Sequence, residues 1–98
     1  MSKTQKRSDK DHRSQIKDET IRVAHSKVLT KLRMRLQEKG AGAWLSRHEL
    51  LGIIVEEYDE LIDAVHGKSL IEVKKELEDL GVSCTFAIAC IDSNALDW

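Results

Sequence analysis

The sequence has no proline, two cysteines and four aromatic residues among 98, and each shortage narrows what the chain can be. Sheets are built on β-branched and aromatic runs; with few aromatics, no proline, and Leu, Ile, Val, Ala, Glu and Lys prominent, an all-α fold is favoured. Cys84 and Cys90 lie six residues apart in one helical run. They point to different faces, about 9 Å apart in rise, and read as free thiols packed as small hydrophobes. No stretch approaches the length of a transmembrane helix, and the start MSKTQKRSDK is basic and polar with no apolar run after it. It does not read as a secretory signal, so the expectation is a cytoplasmic protein with no membrane partner. A chain this short makes one small domain that buries a modest fraction of its surface and gains from self-association, as a homodimer or homotetramer.

Charge is also missing locally. From Leu80 to Ile91 the chain reads LGVSCTFAIACI with no charged residue, which requires burial nearly all round, in its own core or against another subunit. The net charge of −1 conceals a division: residues 1–40 hold twelve Lys and Arg against five Asp and Glu, a balance of +7, and residues 41–98 hold four against twelve, a balance of −8. No nucleic-acid motif or base-stacking aromatic accompanies the basic half, which sets nucleic acid aside. It predicts instead that the first helix lies beside an acidic centre, where it could also attract an anionic substrate.

Residues 1–14 are polar, charged and without hydrophobic period, and read as a disordered basic arm. Residues 15–98 form a single helical domain. From Gln15 to Lys39, Ile21, Ala24, His25, Val28, Leu32 and Leu36 mark one side of an amphipathic helix that stops at Gly40. Ser46 with Glu49, and Ser69 with Glu72, have the form of capping boxes opening a second and a third helix. The second shows an apolar face of Leu50, Leu51, Ile54, Val55, Tyr58, Leu61, Ile62 and Val65 and ends before Gly67, beside which His66 suits a helix C-terminus. The third shows Leu70, Val73, Leu77, Leu80, Cys84, Ile88 and Ile91 along one side, with Ser83, Ala87 and Cys90 on another and a short tail in which Trp98 could cap the core or pack on a neighbour. An antiparallel bundle of about three main helices, completed by homo-oligomerisation, is the expected architecture.

On these helices sit two acidic groups. EEYDE supplies Glu56, Glu57 and Glu60; fifteen residues later ELED supplies Glu76 and Asp79. Residues three apart share a helix face, so Glu57 and Glu60 can meet Glu76 and Asp79 across an antiparallel pair. Ile53 and Ala64 lie between the directions of Glu57 and Glu60, whereas Glu56, Asp59 and Asp63 point towards solvent. Four carboxylates in one cleft call for a divalent cation. An all-oxygen set without cysteine or paired histidines suits Mg²⁺, or Mn²⁺, and argues against a structural zinc site. A di-iron bundle would need Glu-x-x-His on two helices, and the chain offers one Asp63-x-x-His66. Magnesium keeps several waters and shares its coordination with phosphates, which points to phosphate chemistry.

Glu-Glu-x-x-Glu, a spacer and Glu-x-x-Asp resembles the signature of the MazG-like all-α nucleoside triphosphate pyrophosphohydrolases, relatives of dimeric dUTPases, dCTP pyrophosphatases and phosphoribosyl-ATP pyrophosphatases. The match runs from about Trp44 to Ile91. The resemblance implies hydrolysis between the α and β phosphates of a ribo- or deoxynucleoside triphosphate, giving monophosphate and pyrophosphate, as in cleansing of the nucleotide pool. Glu57, Glu60, Glu76 and Asp79 would be the Mg²⁺ ligands, with Glu56 either supporting them from behind or helping to activate the water, its outward direction on the helix leaving the two open. Ser46 to Leu50 resembles, with a one-residue shift, a Thr-His-x-Ser-Leu segment of that family, which makes His48 a candidate substrate contact. Trp44 is a candidate for stacking on the base, and Lys31, with Lys27 and Arg47, for the phosphates; His25 could also reach substrate. Ser83 and Asn94 stand where relatives place further polar, Lys or Asn contacts, a departure that bears on base and sugar selectivity. Two other functions fit the same sequence: a phosphoribosyl-ATP pyrophosphatase, and a non-catalytic helical module that binds a partner through its acidic cleft or basic arm.

Overall fold

A computed structural model describes residues 13–67 and 69–96. Among these there are three α-helices and no strand: α1 (Asp18–Lys39), α2 (Arg47–His66) and α3 (Leu70–Asp92). Trp98 and most of the arm expected over residues 1–14 lie outside the described residues.

The helix ends follow from local chemistry. Ser46 accepts a hydrogen bond from the Glu49 N–H at 3.2 Å, and Glu49 Oε1 in turn accepts from the Leu45 N–H. Ser69 accepts from the Glu72 N–H at 3.3 Å. Both side chains satisfy N–H groups that the first turn of a helix leaves unpartnered. α1 begins three residues later than the hydrophobic period suggests, because Lys17 is extended and offers no capping side chain, while Asp18 and Glu19 place negative charge in the first turn. It ends where Gly40 takes φ +86°, with its N–H donating to the Leu36 carbonyl at 2.8 Å. Only glycine adopts that backbone without strain.

α3 is the central element. α1 and α2 each pack on it, and no backbone contact joins α1 to α2. The short turn after Gly67 sets α2 antiparallel to α3, whereas α1 runs parallel to α3: Val23 and Ala24 share a groove with Lys74 and Leu77, and further along Leu36 and Lys39 share a cavity with Ser83 and Phe86. Between them Val28 lies against Gly81, and the long side chains of Lys31 and Arg35 reach Asp79. A Cβ built at Gly81 would stand 3.3 Å from Val28 Cγ1, so the missing side chain is what allows this approach.

The faces turned inward differ from those that hydropathy alone selects. On α3 the buried residues are Asp79, Val82, Ser83, Ala87 and Cys90. Of the expected stripe, Val73 and Leu80 are half-buried, while Leu70, Leu77, Cys84, Ile88 and Ile91 are exposed. On α2, Leu50, Ile54, Leu61 and Ile62 are half-buried as expected, but Leu51, Val55, Tyr58 and Val65 are exposed, and Ile53, Glu57 and Ala64 turn inward. On α1 the packed half runs from Val28 to Leu36, and Ile21, Ala24 and His25 face solvent. The physical reason is that a helix with neighbours on two sides presents its smallest residues to them, since interaxial distance is set by side-chain size at the contact. Most of the bulky stripe of α3 is thereby left outside, and on α2 Leu51, Val55, Tyr58 and Val65 are left outside as well. Within one chain the apolar core is small: Val82, Ala87, Cys90 and Leu96 are its buried members. Both thiols are free, Cys90 packed and Cys84 exposed. No helix among the described residues is long and apolar enough to cross a membrane.

Candidate metal centre and adjoining pocket

The inward turn of α2 at Glu57 and the small-residue face of α3 bring three carboxylates together. One oxygen from each of Glu57, Glu76 and Asp79 lies within 4.8 Å of the others. The Asp79 side chain is 7% exposed and that of Glu76 12%. Glu57 Oε1 and Glu76 Oε1 are enclosed with no hydrogen-bond partner. An enclosed oxygen without a donor carries a desolvation cost that a native fold rarely leaves uncompensated.

Asp79 is the opposite case. Its Oδ1 accepts from Lys31 Nζ and from Arg35 Nη2, each at 2.8 Å, and its Oδ2 accepts from Lys75 Nζ at 3.1 Å. Lys31 also stands 3.5 Å from Glu78, and Lys75 3.5 Å from Glu76. The acid constants follow this asymmetry. Burial alone would raise Asp79, but the hydrogen bonds and charges of Lys31 and Lys75 outweigh it and hold Asp79 below the usual carboxylate range. Glu57 is raised, first by burial and then by Glu60, Asp79 and Glu76, with Arg35 in partial opposition. The hydrogen bond to Asp79 raises Lys75.

Beside the carboxylates is a cavity of about 360 Å³, with Glu57 and Arg35 on the shared wall. Trp44 and Phe86 form one side, in edge-to-face contact with ring centroids 5.2 Å apart. Leu32, Leu36, Ile53 and Val82 supply apolar surface, and Lys39, Gly40, Gly42, Glu56 and Ser83 complete the lining. One space thus offers aromatic, cationic and carboxylate groups.

Of the residues expected at the site, Glu57, Glu76 and Asp79 meet. Glu60 lies outside that group: three residues on from Glu57, it is about 60° further round α2, exposed, and borders a separate acidic depression with Asp63, Glu72 and Glu76. It is still near enough to raise Glu57. Glu56 is exposed at the rim of the cavity and Trp44 lines it. Lys31 contacts Asp79 and Glu78 and is not part of the cavity lining. His48 is exposed on the first turn of α2, away from that lining, and Lys27, Arg47, His25 and His66 are likewise exposed. Ser83 is buried against the cavity, and Asn94 follows the end of α3 with φ +55°. Arg35, Lys39 and Phe86 join the site without having stood out in the sequence. A signal existed for two of them: Arg35 is one helical turn beyond Lys31, and Phe86 is two turns beyond Asp79, on the same side of α3.

No protein-family model, no curated protein and no solved structure matches the chain.

The oxygen donors, two of them enclosed and unpartnered, fit a hard divalent cation such as Mg²⁺ or Mn²⁺.

Proposed function

We propose that the chain is a Mg²⁺-dependent nucleoside triphosphate pyrophosphohydrolase of the MazG-like kind. The observation that carries this reading is the convergence of Glu57, Glu76 and Asp79, with two enclosed, unpartnered oxygens, beside a cavity that Glu57 lines together with Trp44 and Phe86. Glu57, Glu76 and Asp79 hold the cation, with Glu60 one turn further along α2. When bound, Mg²⁺ neutralises phosphate charge and lowers the pKa of a coordinated water. The base lies against Trp44, and Arg35 and Lys39 draw the phosphates towards the carboxylates. Glu56, at the rim, accepts the proton of the attacking water. A new P–O bond forms as the α–β anhydride bond breaks, leaving nucleoside monophosphate and pyrophosphate.

A panel of ribo- and deoxynucleoside triphosphates with phosphoribosyl-ATP, followed by ³¹P NMR in the presence of Mg²⁺, tests the reading. Monophosphate and pyrophosphate are expected from at least one member; orthophosphate as the direct product, or no turnover, contradicts it. Trp44→Ala should raise KM by about 5- to 150-fold with kcat little changed, corresponding to the roughly 1–3 kcal/mol that base stacking supplies. Trp44→Phe should recover most of the loss.

The same reading makes the chain a homodimer or homotetramer. What supports it is the bulky apolar surface left uncovered by one chain, Leu51, Val55, Tyr58 and Val65 on α2 and Leu77, Ile88 and Ile91 on α3. Sedimentation equilibrium should give two or four times the chain mass, and Ile88→Asp should shift that mass towards one.

A further inference from the structure

We infer that Lys31 and Arg35 are exchangeable counter-ions: without metal they neutralise Asp79, and a divalent cation displaces them towards the phosphates of a bound nucleotide. The inference rests on the carboxylates being a divalent-cation site. Three carboxylates, Glu57, Glu76 and Asp79, face three cations, Lys31, Arg35 and Lys75. Both lone pairs of Asp79 Oδ1 are engaged, by Lys31 and Arg35 at 2.8 Å each. Asp79 therefore cannot offer Oδ1 to a metal while both donors stay, and a divalent ion entering beside them would meet two positive charges at close range.

Both side chains are able to leave. They are long, they come from a different helix than Asp79, and they are 29% and 34% exposed. Arg35 already lines the cavity with Lys39, so a change of rotamer carries its guanidinium from carboxylate to phosphate without moving α1. Local repulsion at Asp79 gives the exchange its direction. With Glu78 beside Lys31 and Glu60 near Glu57 the cluster keeps a negative balance when metal-free, but metal entering without substrate would stand against Lys31 and Arg35 on Asp79 Oδ1. A triphosphate arriving with the metal supplies anionic oxygens to which the two cations can turn. Lys31 and Arg35 are thus positioning residues that delay tight metal binding until the substrate arrives.

The test is calorimetric titration of Mg²⁺ into metal-free full-length protein without nucleotide, comparing wild type with Lys31→Met, Arg35→Met and the charge-keeping Arg35→Lys. Arg35→Met is expected to bind Mg²⁺ at least about 5-fold more tightly than wild type, although its metal-free form melts lower. Lys31→Met should change in the same sense, and Arg35→Lys should stay near wild type. A non-hydrolysable α,β-methylene triphosphate with Mg²⁺ should bind Arg35→Met at least about 10-fold more weakly. Wild type that binds Mg²⁺ while neither methionine variant gains affinity overturns the exchange alone. No binding by wild type or any variant overturns the metal site as well. If neither methionine variant folds, the Arg35 Nε–H signal of ¹⁵N-labelled wild type decides. It should shift on Mg²⁺ addition, and a fixed signal while the Glu57 and Asp79 carboxyl carbons move would overturn the exchange.

Discussion

Asp79→Ala is expected to lower the melting temperature of the metal-free protein by about 10 °C and to reduce turnover by at least ~10²-fold. The stability loss follows from what surrounds the carboxylate. Asp79 is buried and takes hydrogen bonds from Lys31 and Arg35, which tie α1 to α3, and from Lys75 on its own helix, three side chains that otherwise repel one another. Removing one partner of a buried ion pair costs roughly 3–5 kcal/mol. Here the cations are part-exposed and can be rehydrated, which brings the cost to about 2 kcal/mol. For a domain of this length each kcal/mol moves the melting temperature by about 4–8 °C. The effect has a pH signature. A carboxylate whose folded pKa is depressed adds stability above its unfolded pKa and loses it as pH falls through the folded value. Wild type should therefore shed stability in that acidic window, and Asp79→Ala should show a flatter acid limb in melts from neutral pH to about pH 2. The loss of turnover reflects a missing ligand where phosphate charge must be stabilised.

Glu57→Gln is expected to do the reverse to the metal-free protein, raising its melting temperature by about 4–8 °C at neutral pH, while turnover falls as far as in Asp79→Ala. Glu57 is raised by burial and by three neighbouring carboxylates, so its ionised form is held at a cost that folding must offset. A group with a raised folded pKa contributes stability below its unfolded pKa and loses it as pH rises through the folded value. Wild type should accordingly weaken on passing upward through the carboxylate range, and Glu57→Gln should not. The neutral amide has nearly the same shape and gains two N–H donors beside Glu76 Oε1, itself enclosed and without a partner. Relief of about 1 kcal/mol is the expected scale. Melts of both variants in chelator give opposite signs if the cluster is divided as described, with Asp79 compensated and Glu57 not. If both variants lose stability, Glu57 is an ordinary packing residue.

The division between Asp79 and Glu57 shows how far the sequence could be read. Helix ends were legible because capping is local: Ser46 with Glu49 and Ser69 with Glu72 announce themselves at three-residue spacing. The meeting of Glu57 with Glu76 and Asp79 was legible because antiparallel neighbours with one short turn leave few registers. The basic first half was legible in outline, since Lys31 and Arg35 on α1 do lie against the acidic centre. Which face each helix turns inward was not. Hydropathy names an apolar side without saying whether the same chain covers it. On α3 the small residues Gly81, Ser83 and Ala87 turn inward, Gly81 against Val28 of α1, and Ile88 and Ile91 stay outside. Phe86 was hidden within an uncharged run. Arg35 was hidden among α1 cations that look alike until Asp79 is placed beside one of them. Glu60 shares a face with Glu57 only to within 60°, and in a cluster this tight that angle separates a meeting carboxylate from a neighbouring one.

Thermal unfolding of wild-type protein as a function of Mg²⁺, with ionic strength held constant by NaCl and a chelator-treated sample as reference, tests the metal centre most directly. A ligand that binds only the folded state raises the melting temperature progressively once its concentration passes the dissociation constant. The expected result is a rise through the millimolar range that is absent in Glu57→Gln and in Asp79→Ala. A wild-type melt that does not move up to about 10 mM Mg²⁺, with Mn²⁺ equally without effect, would contradict a shared divalent site at Glu57, Glu76 and Asp79.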